Sequence, residues 1–190
     1  MQDTEAIERL KRGDDAGLVT LVQRYQILAV RAAQLVTRER AMAEDVVQDA
    51  FVRLPRDIAG FDPSRPFAPW FLRTVVRDAV RAANKATHQE PLPGEDDAVA
   101  QAEILRLLGA QKGPDEHLQQ EELRVAVRAA LDRLSPSQRA VIVLRYYLDL
   151  DEAAMASILH CQPGTIKWHL NRARGRLAPL LRPIWSGRKG

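Results

Sequence analysis

The sequence predicts an all-α fold: two small helical domains joined by a flexible linker, the second a helix-turn-helix domain. Three observations predict it. Ala and Leu abound while aromatic residues make up only 5%, a balance that favours helix over sheet. Apolar residues recur at helical spacing in both halves of the chain, and no segment alternates convincingly as a strand does. The middle stretch "ATHQEPLPGEDDAVAQ" (86–101) is rich in Pro, Gly and acid and has no helical stripe until its end, which reads as a linker. The expected division is 1–86, a linker at 87–117, and 118–190. "LLGAQKGPDEH" (107–117) breaks the pattern again, so any helix near 98–108 is short.

Composition bounds the function. The chain has 190 residues, 46% apolar and 28% charged, with no run of eighteen apolar residues, so membrane insertion is not expected. The polar start "MQDTEAIERLKRGDD" is unlike a signal peptide. A single cysteine, Cys161, excludes an internal disulfide framework and fits a cytoplasmic protein. Net charge is +3 but unevenly spread: 153–190 holds seven Lys or Arg and no acid, whereas 90–122 holds nine acids against Arg106 and Lys112. A concentrated basic segment is the electrostatic footprint of a polyanion site, or else a solubilising tail.

Within the first domain, "AMAEDVVQDAFVRLPRDI" places Val47, Ala50, Phe51 and Leu54 on one buried helical stripe. Its far side presents Asp45, Asp49 and Val52, with Glu44 and Gln48 beside them. An exposed Val among acids hints at a protein interface. In "GFDPSRPFAPWFLRTVVRDAVRAANK", Pro63, Pro66 and Pro69 stiffen a loop. The helix after it carries Arg73, Arg77, Arg81 and Lys85 at four-residue spacing, a cationic stripe whose helix has Asp78 as its one acid.

In the second domain one helix ends near Leu134. Ser135, Pro136 and Gln138 then form a capping box with Pro at the first helical position. The helix that follows is expected to bury Val141, Ile142, Leu144 and Leu148. Asp151 caps a short helix with apolar positions Ala154, Met155, Ile158 and Leu159, "HCQP" turns, and Pro163 opens a basic helix. A short helix, a tight turn and a basic amphipathic helix suggest helix-turn-helix architecture. In "GTIKWHLNRARGRL", Ile166, Leu170, Ala173 and Leu177 form the dry face. The opposite face carries Trp168, Asn171 and Arg172, flanked by Lys167, His169, Arg174 and Arg176, with no acid. Asn can read adenine and Arg guanine in the major groove, while other cations hold phosphates.

The blocks "AEDVVQDAFVRL" and "FDPSRPFAPWFLRTVVRD", then "LSPSQRAVIVLRYYLDLDEAAMASIL" and "GTIKWHLNRARGRL" after a linker, resemble the bacterial RNA polymerase sigma factors. Among them they resemble the two-domain extracytoplasmic-function (group IV) type of the sigma-70 family. The likeness implies that Glu44, Asp45, Gln48, Asp49, Val52 and Arg53 bind the clamp helices of the polymerase's largest subunit, with the flap region as a further contact. It implies that the Asp62–Pro69 loop, with Ser64, Arg65 and Phe67, opens the −10 element and holds a flipped base. Arg73, Arg77, Arg81 and Lys85 would hold phosphates there, with Asp78 near the base-reading site. Thr165, Lys167, Trp168, His169, Asn171, Arg172 and Arg174 would engage the −35 element. The acidic linker would thread toward the RNA exit path. Partners implied are core RNA polymerase, promoter DNA and an anti-sigma protein. The free chain is expected to bind DNA poorly, because its two DNA-facing surfaces sit on separate domains.

Several residues depart from the family pattern. Pro55 stands where Trp is common, so the polymerase-binding helix is expected to end at about Leu54. Asp78 replaces a usual Asn and could accept from cytosine N4. Ala154 and Met155 replace Glu-Ile, removing a capping-box acid. His160 replaces the turn glycine and carries strain if φ is positive there. Trp168 replaces a small residue, with reading DNA and packing as equal alternatives.

No phosphate loop, HExxH or G-x-S-x-G is present, and the scattered histidines make no zinc pattern. No enzyme activity, cofactor or metal is therefore expected. A metal or redox site at His160, Cys161 and His169 is a remote alternative. Two other classes stay open: a conventional helix-turn-helix regulator acting without polymerase, and a helical adaptor that binds no DNA.

Overall fold

The computed structural model describes residues 2–87, 127 and 129–186, excepting the side chains of 87 and 180–186. Every regular element among the described residues is helical, and the chain divides into two compact units, Met1–Ala86 and Thr87–Gly190. The acidic linker and the short helix expected near 98–108 lie outside the described residues.

The first unit contains α1 (Asp3–Lys11), α2 (Asp15–Thr37), α3 (Arg40–Asp57), a short 3-10 turn (Ile58–Gly60) and α4 (Phe67–Thr87). Asp14 caps α2 by accepting from the Ala16 amide at 2.9 Å. Gly17, in the first turn of α2, lets α1 pass at backbone contact: a Cβ there would lie 2.2 Å from the Ala6 carbonyl oxygen. Asp3 then ties the hairpin further, accepting from Arg24 and from the Tyr25 hydroxyl. Burial, and then Asp3, push that phenol up to about 12.

α3 buries Val47, Ala50, Phe51 and Leu54, as its spacing predicts, and adds Ala43 and Val46. It does not end at Leu54. The helix runs through Pro55 to Asp57 and passes into the 3-10 turn. Pro costs a helix its amide bond and crowds the preceding turn. Here Leu54 and Ile58, each 1% exposed, lie one turn apart on the core side, and the Ile58 amide donates to the Leu54 carbonyl. Fully burying each such side chain contributes about 1.5–3 kcal/mol, enough to offset much of the proline penalty of about 3 kcal/mol.

α4 begins at Phe67, whose ring packs among Tyr25, Phe61, Trp70 and Phe71 at centroid distances of 5.2, 5.8, 5.7 and 5.6 Å. Phe71 continues the cluster to Phe51 of α3 at 4.5 Å. This aromatic core anchors the loop between the 3-10 turn and α4.

The second unit contains α5 (Pro136–Ile142) running into a π-helical segment (Val143–Tyr147), then α6 (Glu152–Leu159) and α7 (Pro163–Ser186). The Ser135–Gln138 capping box is formed in both directions, at 3.2 and 3.3 Å. The π segment changes the expected core. Tyr146 is buried, and Leu148 is only half-buried. Asp149 then takes a positive φ of 49° and turns Leu150 inward instead. α6 also differs: Met155 and Ala156 are buried, while Ala154, Ile158 and Leu159 are half-covered.

Candidate nucleic-acid interface

Local chemistry sets the helix-turn-helix geometry. Asp151 caps α6 by accepting from the Ala154 amide at 2.7 Å. With Ala at that third helical position no reciprocal acid completes the box. His160 ends α6 in the left-handed region, φ 53°, as a turn residue replacing glycine must. Pro163 then opens α7 at the first helical position.

On α7, Ile166, Leu170, Ala173 and Leu177 are buried, as the periodicity predicts. Thr165 and Lys167 are exposed, and Trp168, Asn171, Arg172 and Arg174 are half-exposed. His169 is not on the surface. It is 8% exposed, its Nδ1 is buried with no hydrogen-bond partner, and desolvation lowers its pKa below the usual imidazole range. At one step from Leu170, the imidazole is covered and is not presented on the outer face of the helix. The Trp168 ring stands edge-on to it at 4.8 Å and keeps part of its surface open. Arg174 Nε donates to the Tyr146 hydroxyl at 3.0 Å. Arg176 is exposed yet reaches the Gln138 side chain at 3.1 Å and the Arg133 carbonyl at 3.2 Å. It braces the capping box.

In the first unit, Asp62 organises the loop before α4. Its carboxylate accepts from the Ser64 amide at 3.0 Å and the Ser64 hydroxyl at 2.7 Å, with Arg65 at 3.3 Å. The Ser64 bonds, side chain first, hold its pKa below the usual carboxylate range. Ser64 and Arg65 are exposed at the loop tip. Phe67 is 2% exposed and belongs to the aromatic core. In the free chain the ring is turned toward its aromatic neighbours and away from solvent.

The α4 stripe is not uniform. Arg81 and Lys85 are exposed, while Arg73 and Arg77 are half-buried, and Arg73 Nε is buried without a partner. Asp78 accepts from Arg53 of α3 and from Arg77 Nε at 3.2 Å, with Arg81 at 4.0 Å. Only 17% of its side chain is exposed. Asp78 thus has both carboxylate oxygens engaged by arginines. Arg53 turns toward α4 instead of standing with the acidic face.

That acidic face is otherwise as expected. Glu44, Asp45, Gln48 and Asp49 are exposed, and Val52 is 71% exposed. Arg40 pairs with Glu44 at 2.7 Å. Among the described residues no helix is long and apolar enough to cross a membrane, and no group of three His, Cys, Asp or Glu could hold a metal. Burial pushes the Cys161 thiol up, which makes it a poor nucleophile.

Tyr146, Gln138 and Arg176 were not marked by sequence reasoning as supports of the basic helix. Their partners lie 28 and 38 positions away, beyond any local pattern. The one available signal was a Tyr inside an apolar run, whose hydroxyl needs a partner when buried.

Comparison with known proteins decides the family. The models described as Sigma-70 region 2 and Sigma-70 region 4 match residues 21–89 and 124–177. The chain is 31% identical over 189 residues to the ECF RNA polymerase sigma-E factor of Escherichia coli K12, covering 97% of this chain and 96% of that protein. It belongs to the extracytoplasmic-function sigma factors. The RNA polymerase sigma-H factor of Pseudomonas aeruginosa is 26% identical over 187 residues, covering 96% and 95% of the two chains. Among solved structures, CnrH in complex with the cytosolic domain of CnrY aligns with a TM-score of 0.56 at 22% identity, covering 95% of this chain and 97% of that one. The sigma factor RpoE bound to the anti-sigma factor NepR from Bartonella quintana aligns at 0.52 and 22% identity, covering 85% and 94%. At those identities the two structures support the fold. The function is that of a sigma factor, which sets aside the polymerase-independent regulator and the adaptor that binds no DNA.

Proposed function

We propose that this sigma factor docks on core RNA polymerase through the α3 face and directs it to promoters through two DNA-contacting surfaces. Asp45, Gln48, Asp49 and Val52 make the docking face, toward the clamp helices of the largest subunit; a 71%-exposed Val amid acids is the observation that carries this. Ser64 and Arg65 at the loop tip, with Arg81 and Lys85 on α4, engage the −10 region as it opens. Asn171 and Arg172 on α7 read base edges of the −35 element, while Thr165, Lys167 and Arg174 position the helix on phosphates. The flap region of polymerase is the further contact of the second unit. An anti-sigma partner fits as well, since the RpoE structure is a complex with NepR. The chain supplies binding and positioning and leaves the chemistry of RNA synthesis to polymerase. It works in the cytoplasm.

The test is run-off transcription with core polymerase on a randomised promoter library. Enrichment of paired −10 and −35 elements that requires both core and this chain supports the reading. Tight, sequence-specific duplex binding by the free chain, unchanged by core, overturns it.

A further inference from the structure

The four-residue spacing of Arg73, Arg77, Arg81 and Lys85 suggests one uniform cationic stripe, but the structure divides it. Asp78 sits within the stripe and takes one arginine on each carboxylate oxygen: Arg53 on Oδ2 and Arg77 on Oδ1, the latter at 3.2 Å. Arg53 and Arg77 are covered to a similar degree, 34% and 32% exposed, and Asp78 between them is more deeply covered at 17%. Arg81, at 4.0 Å from the same carboxylate, keeps 63% of its side chain in solvent. The cluster lines a groove between α3 and α4, with Val46 and Asp49 on the α3 side.

We propose that Asp78 is a positioning residue that locks Arg53 of α3 and Arg77 of α4 as an internal ion-pair link, leaving Arg81 and Lys85 to carry the cationic DNA contact of α4. The inference rests on the reading of α4 as a DNA-facing helix. Two physical arguments support it. A largely covered carboxylate with both oxygens engaged is a poor acceptor for a cytosine amino group, because capturing a base would mean giving up charge-assisted bonds. Removing Asp78 leaves Arg53 and Arg77, each only about a third exposed, without their shared carboxylate, so the link resists opening. The link also joins the helix proposed to meet polymerase to the helix proposed to meet DNA, so their relative placement is fixed by charge as well as by apolar packing.

The experiment uses holoenzyme assembled with the full chain carrying Asp78→Asn, Arg53→Gln, both, or the exchanged pair R53D/D78R. Open-complex formation is measured beside thermal melts, and −10 base preference is read from a selected library. Each single variant should lower opening by about tenfold, the double variant should be no worse than the poorer single, and the exchange should recover much of the loss. Base preference should stay the same in all four. A changed base preference for Asp78→Asn alone means that Asp78 reads a base. Additive losses, no recovery by exchange, or faster opening in Asp78→Asn also overturn the link. As a separate control, Arg81→Ala and Lys85→Ala should each weaken binding of single-stranded non-template oligonucleotide and flatten its salt slope by about 0.7. If they change nothing, the DNA-facing reading of α4 fails, whatever the ion-pair variants do.

Discussion

Arg174 Nε donates to the hydroxyl of Tyr146 at 3.0 Å, joining the basic helix α7 to the π-helical segment that precedes α6. Tyr146 is 4% exposed, so its ring is fixed by packing and the hydroxyl is a rigid acceptor. The bond consumes one guanidinium N–H and leaves the others available for phosphate. Tyr146→Phe keeps the ring and removes only the acceptor. A bond from a charged guanidinium is worth about 1.5–3 kcal/mol, so −35 duplex binding by holoenzyme should weaken by about tenfold. The loss should be uniform across sequences, since phosphate contacts carry no sequence information. A library selection in which Tyr146→Phe shifts the −35 preference would place Arg174 on a base edge instead.

His169 makes the second unit sensitive to acid. Burial lowers its pKa in the folded state, so the folded chain holds fewer protons than the unfolded chain between the two pKa values. The stabilisation is fully present above the unfolded value of about 6.5 and is lost as pH falls toward and below the folded one. One such proton changes stability by at most about 1.4 kcal/mol per pH unit. Urea melts from pH 7.5 to 5 should show this slope, and His169→Leu should remove it. An unchanged slope in His169→Leu assigns the effect to other groups.

Gly17→Ala should destabilise the first unit. The added Cβ would meet two backbone atoms of α1, the Ala6 carbonyl at 2.2 Å and the Leu10 amide nitrogen at 2.7 Å. Backbone cannot swing aside as a side chain can, so α1 must move off α2. Overpacking of this kind costs about 1–3 kcal/mol, visible as a lowered melting temperature. Wild-type stability in Gly17→Ala would mean that α1 adapts at no cost.

Asp45→Arg tests the docking face. Asp45 is exposed on α3, and changes at such sites usually alter stability by no more than about 0.5 kcal/mol. The melt should be that of the parent, while pull-down with core polymerase and run-off transcription should both be lost. A folded variant that still binds core and transcribes removes α3 from the docking surface.

Much of this fold was legible in the sequence because local rules write it there. The stripes Val47–Ala50–Phe51–Leu54 and Ile166–Leu170–Ala173–Leu177 are buried as spacing predicts. The Ser135–Gln138 box, the Asp151 cap and the left-handed His160 are likewise local chemistry. Each depends on residues within a turn or two, so a linear pattern contains it.

Tertiary structure decided the rest, through contacts between residues far apart in sequence. Phe67, which the family likeness puts in a DNA-facing loop, is covered by Tyr25, Phe61, Trp70 and Phe71, and His169, a flank of the basic face by spacing, is 8% exposed, because burial is set by what packs in space and not by position along one segment. Pro55 is carried inside α3 because Leu54 and Ile58 are anchored in the core on either side of it. Asp78 is an acid in a basic stripe until Arg53, 25 positions earlier, closes on it from α3. Spacing determined which residues share a face. Packing across elements determined which of them meet solvent and which are held by another side chain, since burial and ion pairing depend on distance in space.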